Sequence, residues 1–541
     1  MSSSADSNGP IRAPSENGQV LSVPSLKTVA ALVSTNARRL SLAQCEIGGK
    51  QLPEFRSAAR AEIVERARKT AEFLSGSSTT DIDVDQPLIV TGHQPQLIHP
   101  GVWAKNIAAS RLATQVGGVG LNLIVDNDVV SRAGIFIPTG TRERPRLESI
   151  LYDAPQPACP WEEWKLQDVQ LFGSFGSRIT QSMHAWGIEP IAADMWPDAI
   201  SMLQDTDNIV DALSACRVRQ ERRWDIHNLE LKISELSRTQ AFSEFVTALF
   251  LDHERFFSIY NESVEQYRVT NGVRNDRHPV PNLKRVENRF EMPFWFWKHG
   301  RQTREPVFVE SRGSKVMIHL GDEKIACSNA GKSISDLPSE WCFRPRALTT
   351  TMFARLAFAD LFVHGIGGAK YDEVTDQIIA GFFDIEPPGY QTLTATLHLL
   401  EPYPVGRDDE HRLHLQERDY AYNPERLLKS PIDDATIKLI NQKQQLISKL
   451  KSENAPFVSG QELVERRHRQ HDLHTQIKAV NSKIRERLGD FHRRHEIELN
   501  RLTSQLQANR VLASREFASI LFDKQSLRTL FDPLLERSAS E

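Results

Sequence analysis

Three residues, Leu88-Ile89-Val90, constrain this chain more than any other feature. They form a continuous apolar run of the kind buried on both faces of a parallel sheet. The surrounding segment, PLIVTGHQPQLIHPGVWAKNIAA from Pro87 to Ala109, predicts a short strand, a punctuated loop and a helix from about Val102. Gly92, Pro95, Pro100 and Gly101 supply the punctuation. In an open α/β sheet such a crossing lies at the carboxyl edge of the strands, where ligands bind. The free N–H groups that start the helix attract anions. His93, Gln94 and His99 are therefore candidates by position as well as by type.

A second strand, LNLIVDND from Leu121 to Asp128, completes a β-α-β unit and ends in an acidic cluster at the same sheet edge. Asp126 and Asp128 suit a metal, the orientation of an amine, or a base; a strand-end turn explains them equally. His93 and His99 suit the stabilisation of negative charge on a transferred group, with Lys105 adding a point charge. Residues 344–385 repeat the logic as helix, strand and helix, with GIGG as the turn. There Gly365, Gly367 and Gly368 would let backbone approach a phosphate, with Lys370 beyond. The pattern is neither a Walker loop nor a dinucleotide fingerprint. Arg274, Arg277 and His278 sit in a proline-rich loop that would either close over an anion or stay solvated.

The fold class expected is α/β, a parallel-sheet core with a helical insertion and a C-terminal helical coiled-coil hairpin. The boundaries read as a disordered tail over 1–24, a helical segment and linker over 25–86, and the first part of the core over 87–159. A helical insertion over 160–270 follows, anchored by Trp161, Trp164, Trp186, Trp196 and Trp224. The second part of the core covers 271–405, with a hairpin turning at Ser311 to Ser314. The C-terminal region, 406–541, carries the coiled coil. Its second arm places Leu473, Ile477, Val480, Ile484, Leu488, Phe491, His495, Leu499, Leu502 and Leu506 at steps of 4, 3 and 4, an eleven-residue repeat.

Composition excludes several classes. A net charge of -4 gives no basic field for nucleic acid. No apolar run approaches the roughly 18–20 residues a membrane span needs, and the polar N-terminus lacks the apolar stretch of a secretory signal. The cysteines at 45, 159, 216, 327 and 342 lack paired spacing and fit reduced thiols in a cytoplasmic protein. His468, His471 and His474 recur every third residue, but no second ligand group matches zinc spacing, so no metal is expected.

The segments TGHQPQLIHPGVWAKNIAA, VDND and FRPRALTTTMFARLAFADLFVHGIGGAKY together resemble the bacillithiol biosynthesis cysteine-adding enzymes. Thr91, Gly92 and Gln94 match that family's first motif, with His93 standing where the family has glutamine, and Arg344 falls in its later Arg-Pro segment. The resemblance implies a Rossmann-like core and a homodimer formed through the coiled coil. It implies a ligase joining an amino acid to an amine or sugar-linked acceptor in low-molecular-weight thiol biosynthesis. His93, His99, Asp126 and Asp128 would be catalytic. Thr91, Gly92, Gln94, Lys105, Arg344, Gly365, Gly367, Gly368 and Lys370 would bind a small anionic substrate or a nucleotide, ATP or ADP. Two other readings stand beside it: a nucleotidyl transferase, and a non-enzymatic dimeric scaffold with a partner-binding arm.

Overall fold

The computed structural model describes residues 11–79, 82–301, 303–312, 315–327, 334, 337–453 and 460–535. They form a mixed α/β protein of two compact units. The first comprises Met1–Ile137, Leu147–Leu399 and Arg515–Glu541; the second comprises Pro138–Arg146 and Leu400–Ser514.

The strands used below are, in chain order, β1 (Val20–Val23), β2 (Leu88–His93), β3 (Val119–Ile124), β4 (Leu229–Lys232), β5 (Arg289–Lys298) and β6 (Glu305–Arg312). They continue with β7 (Lys315–Leu320), β8 (Glu323–Cys327), β9 (Trp341–Pro345), β10 (Leu361–His364) and β11 (Gln391–Ala395). A six-stranded sheet in the order β1-β11-β10-β2-β3-β4 forms the heart of the first unit. Its strands run parallel except β1, which is antiparallel to β11. Leu88, Ile89, Val90 and Thr91 are all buried, as a central strand covered on both faces requires.

Four helices position the candidate site: α1 (Leu52–Ser75), α2 (Pro100–Gln115), α3 (Ala347–Ala357) and α4 (Ile366–Phe383). The chain leaves β2 through α2 toward β3, and leaves β10 through α4 toward β11. Because β2 and β10 are neighbours, the two crossovers diverge and open a crevice at the strand ends. The opposite ends are pinned by Asp360. Its carboxylate accepts the Leu88 N–H at 2.8 Å and pairs with Arg56 and Arg60 of α1 at 2.9 and 2.8 Å. All three charged residues are buried, so removing one partner from such a cluster costs about 3–5 kcal/mol.

Two expectations change here. Val20–Val23, inside the stretch read as a tail, is an edge strand whose Val20 faces Ala395; residues 1–10 lie outside the described residues. The segment read as a purely helical insertion contains β4, the far edge of the main sheet. Four residues are too few to announce a strand by periodicity, and this one is recognised by what it pairs with.

A second sheet is antiparallel, with the short strand Arg285–Val286 followed by β5, β6, β7 and β8, and with β9 on the free side of β5. The expected hairpin is present, with Arg312 opposite Lys315; its turn residues, 313 and 314, lie outside the described residues. One large apolar core joins the two sheets' faces and their helices, with Phe242, Phe245, Phe250, Phe294, Phe343 and Phe353 at its centre.

The second unit contains α5 (Arg407–Tyr422), α6 (Asp434–Ser452), α7 (Gln461–Glu486) and α8 (Phe491–Leu512). Leu446 of α6 packs on Val480 and Ile484 of α7, with Leu473 and Ile477 beside them. All ten residues of the predicted seam are buried or half-buried, so the periodicity marks the covered face. The single long arm is a correction, however: the helix stops at Glu486 and restarts at Phe491. Gly489 between them adopts φ +53°, a left-handed conformation that a helix interior does not contain.

Candidate functional site

A cavity of about 700 Å³ occupies the crevice at the ends of β2 and β10. That volume lies in the range of about 300–1,000 Å³ typical of small-molecule sites. Gly92, His93, Gln94, His99, Lys105, Asp128, Gly365, Gly367 and Gly368, all proposed from sequence, line it. A methyl placed on Gly365 would stand 3.9 Å from Lys105 Cδ, so the two crossovers meet across it.

Lys105 comes from the first turns of α2 and is buried, with its Nζ donating to the Gly92 carbonyl at 2.8 Å. No carboxylate among the described residues lies within ion-pair distance, and burial lowers its pKa to about 8. His99 caps α2, its Nδ1 accepting the Gly101 N–H at 3.2 Å. Burial, with Arg515 and Lys105 adding repulsion, lowers its pKa to about 4. His93 falls to about 3 by burial and then by the Lys105 charge. Both rings are therefore neutral at pH 7, and Lys105 largely retains its charge.

The second crossover is built differently. His364 ends β10, is buried, and lies with Nε2 2.6 Å from Asp372 Oδ2, in ion-pair contact without in-line hydrogen-bond geometry. Asp372 also accepts from Thr351 at 2.9 Å and Thr375 at 3.0 Å, and pairs with Arg355 at 3.1 Å. Burial alone would raise the Asp372 carboxyl, but the charges of His364 and Arg355 outweigh it and hold it below the ordinary carboxylate range. The glycine run is not a turn before the helix: Gly365 is the N-cap, and Gly367 and Gly368 form the first turn of α4. Gly368 is required by close approach, since a methyl there would meet His364 Nδ1 at 2.7 Å.

Two helix N-termini open on the cavity without a side-chain cap, α4 at Gly365 and α3 at Arg346. Their unpaired N–H groups carry partial positive charge. Arg304, Arg346 and Arg515 add full charges that the sequence reading did not single out. Arg346 stacks 4.0 Å from the Trp295 ring and pairs with Glu291, while Arg304 lies over the same ring at 4.8 Å. Arg515 donates to Thr394 Oγ1 at 2.7 Å. None of these had a motif; each arrives through a separate element.

The remaining sequence candidates lie elsewhere. Asp126 is buried against Ser234, accepting its backbone N–H at 2.9 Å and its hydroxyl, and does not line the cavity. Burial, with Glu162 adding repulsion, raises its pKa to about 7. Asp128 does face the cavity, accepting from Gln94 at 3.1 Å with Arg304 at 3.5 Å. Asn127 between them bonds the Pro345 carbonyl at 2.9 Å and so ties β3's end to β9. Thr91 is fully buried, donating to the Val363 carbonyl at 2.9 Å within the sheet. Arg344 is buried in a bidentate pair with Glu162 at 2.9 and 2.7 Å. Lys370 is on α4 away from the lining. In the proline-rich loop Val280 and Pro281 reach the cavity, while Arg274 and Arg277 do not.

No protein-family model matches this chain. No curated protein sequence matches it. Among the described residues no helix is long and apolar enough to cross a membrane.

Proposed function

We propose that this chain is an enzyme that binds a small anionic substrate in the β2–β10 crevice and joins an amino acid to an amine or sugar-linked acceptor. The observation that carries the reading is Lys105, a buried cation with no carboxylate partner among the described residues, facing a cavity onto which two uncapped helix N-termini also open. Such a charge is offset most directly by a ligand anion, a phosphate or carboxylate. The His364–Asp372 pair supplies the second requirement, an imidazole at the cavity that can exchange a proton with the reacting groups while the adjacent carboxylate stabilises its charged form. The order of motifs along the chain supports the ligase assignment through its resemblance to the cysteine-adding enzymes. A Rossmann-like ancestry of the sheet, a homodimer through the C-terminal helices and a cytoplasmic location belong to the same proposal.

Uncapped helix ends and Lys105 suit a nucleotide's phosphates equally, which keeps nucleotidyl transfer as the second reading. A thermal-shift series with inorganic phosphate, ADP, ATP and CTP, followed by mass spectrometry of an amino acid incubated with an amino sugar, separates the two. The ligase reading expects a condensation product, in which the C–N bond replaces the carboxyl C–O bond and the mass is that of the two substrates less one water. Transfer of a nucleotidyl group from ATP or CTP with release of pyrophosphate supports the alternative. Both fail if no anion stabilises the wild type more than it stabilises Lys105→Met. In that case the scaffold reading takes their place.

A further inference from the structure

We propose that Glu163, His299 and Cys342 form a binding site for a transition-metal dication of the zinc class, with three protein ligands and one coordination position open to solvent. Their ligand atoms all lie within 4.8 Å of one another. Cys342 Sγ is 3.5 Å from the His299 ring nitrogens and 3.7 Å from Glu163 Oε1, and His299 Nδ1 is 2.7 Å from the same oxygen. A tetrahedral zinc with ordinary bond lengths spaces its ligand atoms about 3.3–3.6 Å apart. The sulfur–nitrogen distance already lies in that range, the sulfur–oxygen distance exceeds it by about 0.1 Å, and the nitrogen–oxygen pair needs to open by about 0.6 Å to admit the ion.

The fold explains the convergence. β5 and β9 are antiparallel with Trp297 opposite Cys342, and His299 just beyond β5 bonds back to the Glu340 carbonyl at 2.8 Å. Imidazole and thiol are thereby placed on one sheet face. Glu163 closes the triangle from the short helical turn Trp161–Glu163. Its carboxylate is oriented by the Trp297 indole N–H at 3.0 Å and the Gly300 N–H at 3.1 Å, the outer contacts that ligating carboxylates ordinarily have. Cys342 is buried while the His299 side chain is 41% exposed, which leaves an entry path and a free position on one side only.

A thiol–imidazole–carboxylate relay would use the same residue types, but its geometry differs. In a relay the carboxylate sits on the far side of the ring from the sulfur. Here it is beside the sulfur, and the thiol is closed to an acyl substrate. A mixed sulfur, nitrogen and oxygen set suits zinc or cobalt over magnesium or calcium. Positions 163, 299 and 342 share no motif spacing, so the reading that expected no metal had nothing to detect.

The test is a titration of the metal-free full-length protein with Co²⁺, followed by Zn²⁺ competition. The expected result is one Co²⁺ per chain with an intense near-ultraviolet thiolate-to-cobalt band that Zn²⁺ abolishes. Cys342→Ser should lose the band, and His299→Ala should weaken Co²⁺ binding more than tenfold. No band on the folded wild type overturns the proposal, as does an undiminished band in His299→Ala. Because His299 is exposed, that variant remains decisive if Cys342→Ser does not fold. The binding measurement is independent of the anion cavity, so either proposal can fail alone.

Discussion

The β2–α2 and β10–α4 crossovers are neighbours in one sheet, each ending its strand on a histidine, yet they are electrostatically opposite. The first packs His93 and His99 against Lys105, where burial and then neighbouring positive charge keep both rings neutral, and among the described residues Lys105 has no carboxylate partner. The second seats His364 on a carboxylate that two threonines and Arg355 hold ionised. Position along a sheet edge therefore does not set a residue's chemistry; the groups behind it do. In the proposed reading the first crossover holds an anion and the second moves a proton.

The largest effect expected is on the second crossover. Asp372→Ala leaves His364 without its buried counter-charge and Arg355 with Asp376 alone, and should lower stability by about 3–5 kcal/mol in urea unfolding. His93→Gln, in the first crossover, should cost under about 1.5 kcal/mol. Equal losses would erase the contrast. Catalysis should divide the same way: His364→Asn is expected to reduce kcat by about 10²–10⁴-fold, the range for a lost proton-transfer group. His93→Gln should change kcat less than about tenfold, read in the condensation assay.

Lys105→Met should weaken phosphate or nucleotide binding by about 10–100-fold, the range for a charged hydrogen-bond donor, measured by calorimetry. The pH dependence has a defined sign. With a folded pKa of about 8 against 10.5 when unfolded, Lys105 holds fewer protons in the native state across that window. Stability should therefore rise from about pH 8 to 10.5, while anion affinity falls as the charge is lost. The histidines act at the other end. Their lowered pKa values mean that stability present above 6.5 is lost as pH falls toward 4, because the unfolded rings take protons first. Chevron or urea curves across pH should show a flatter acid limb in His99→Gln. The smallest effect is at Lys370, where alanine should leave ligand affinity within about twofold, since the residue does not line the cavity.

Much of the first crossover was legible because its information is local. An apolar run, a glycine break and Pro100 at the helix start are consecutive in the chain, and they locate strand, loop and helix. The second crossover was legible in outline, but the glycines' place inside α4 was not. Only the packing of His364 against Gly368 gives that glycine its purpose. The acidic cluster shows the limit most clearly. Asp126 and Asp128 are chemically identical and two residues apart, yet one is spent on Ser234 and the other faces the cavity. Alternation along an extended backbone does not separate them, because the strand has already ended at Ile124.

What the sequence determined by itself is the short-range order at the centre of the molecule: the strands and helices of the two crossovers, which helix face of the C-terminal arm is covered, and that a histidine ends each of two central strands. Those properties follow from side-chain size, backbone freedom and periodicity over a few residues. Tertiary structure alone decided which charges meet. Arg304, Arg346, Arg515 and the trio Glu163, His299 and Cys342 come from elements far apart in the chain. Charge interactions and metal coordination act over a few ångströms of space, whatever the separation along the backbone.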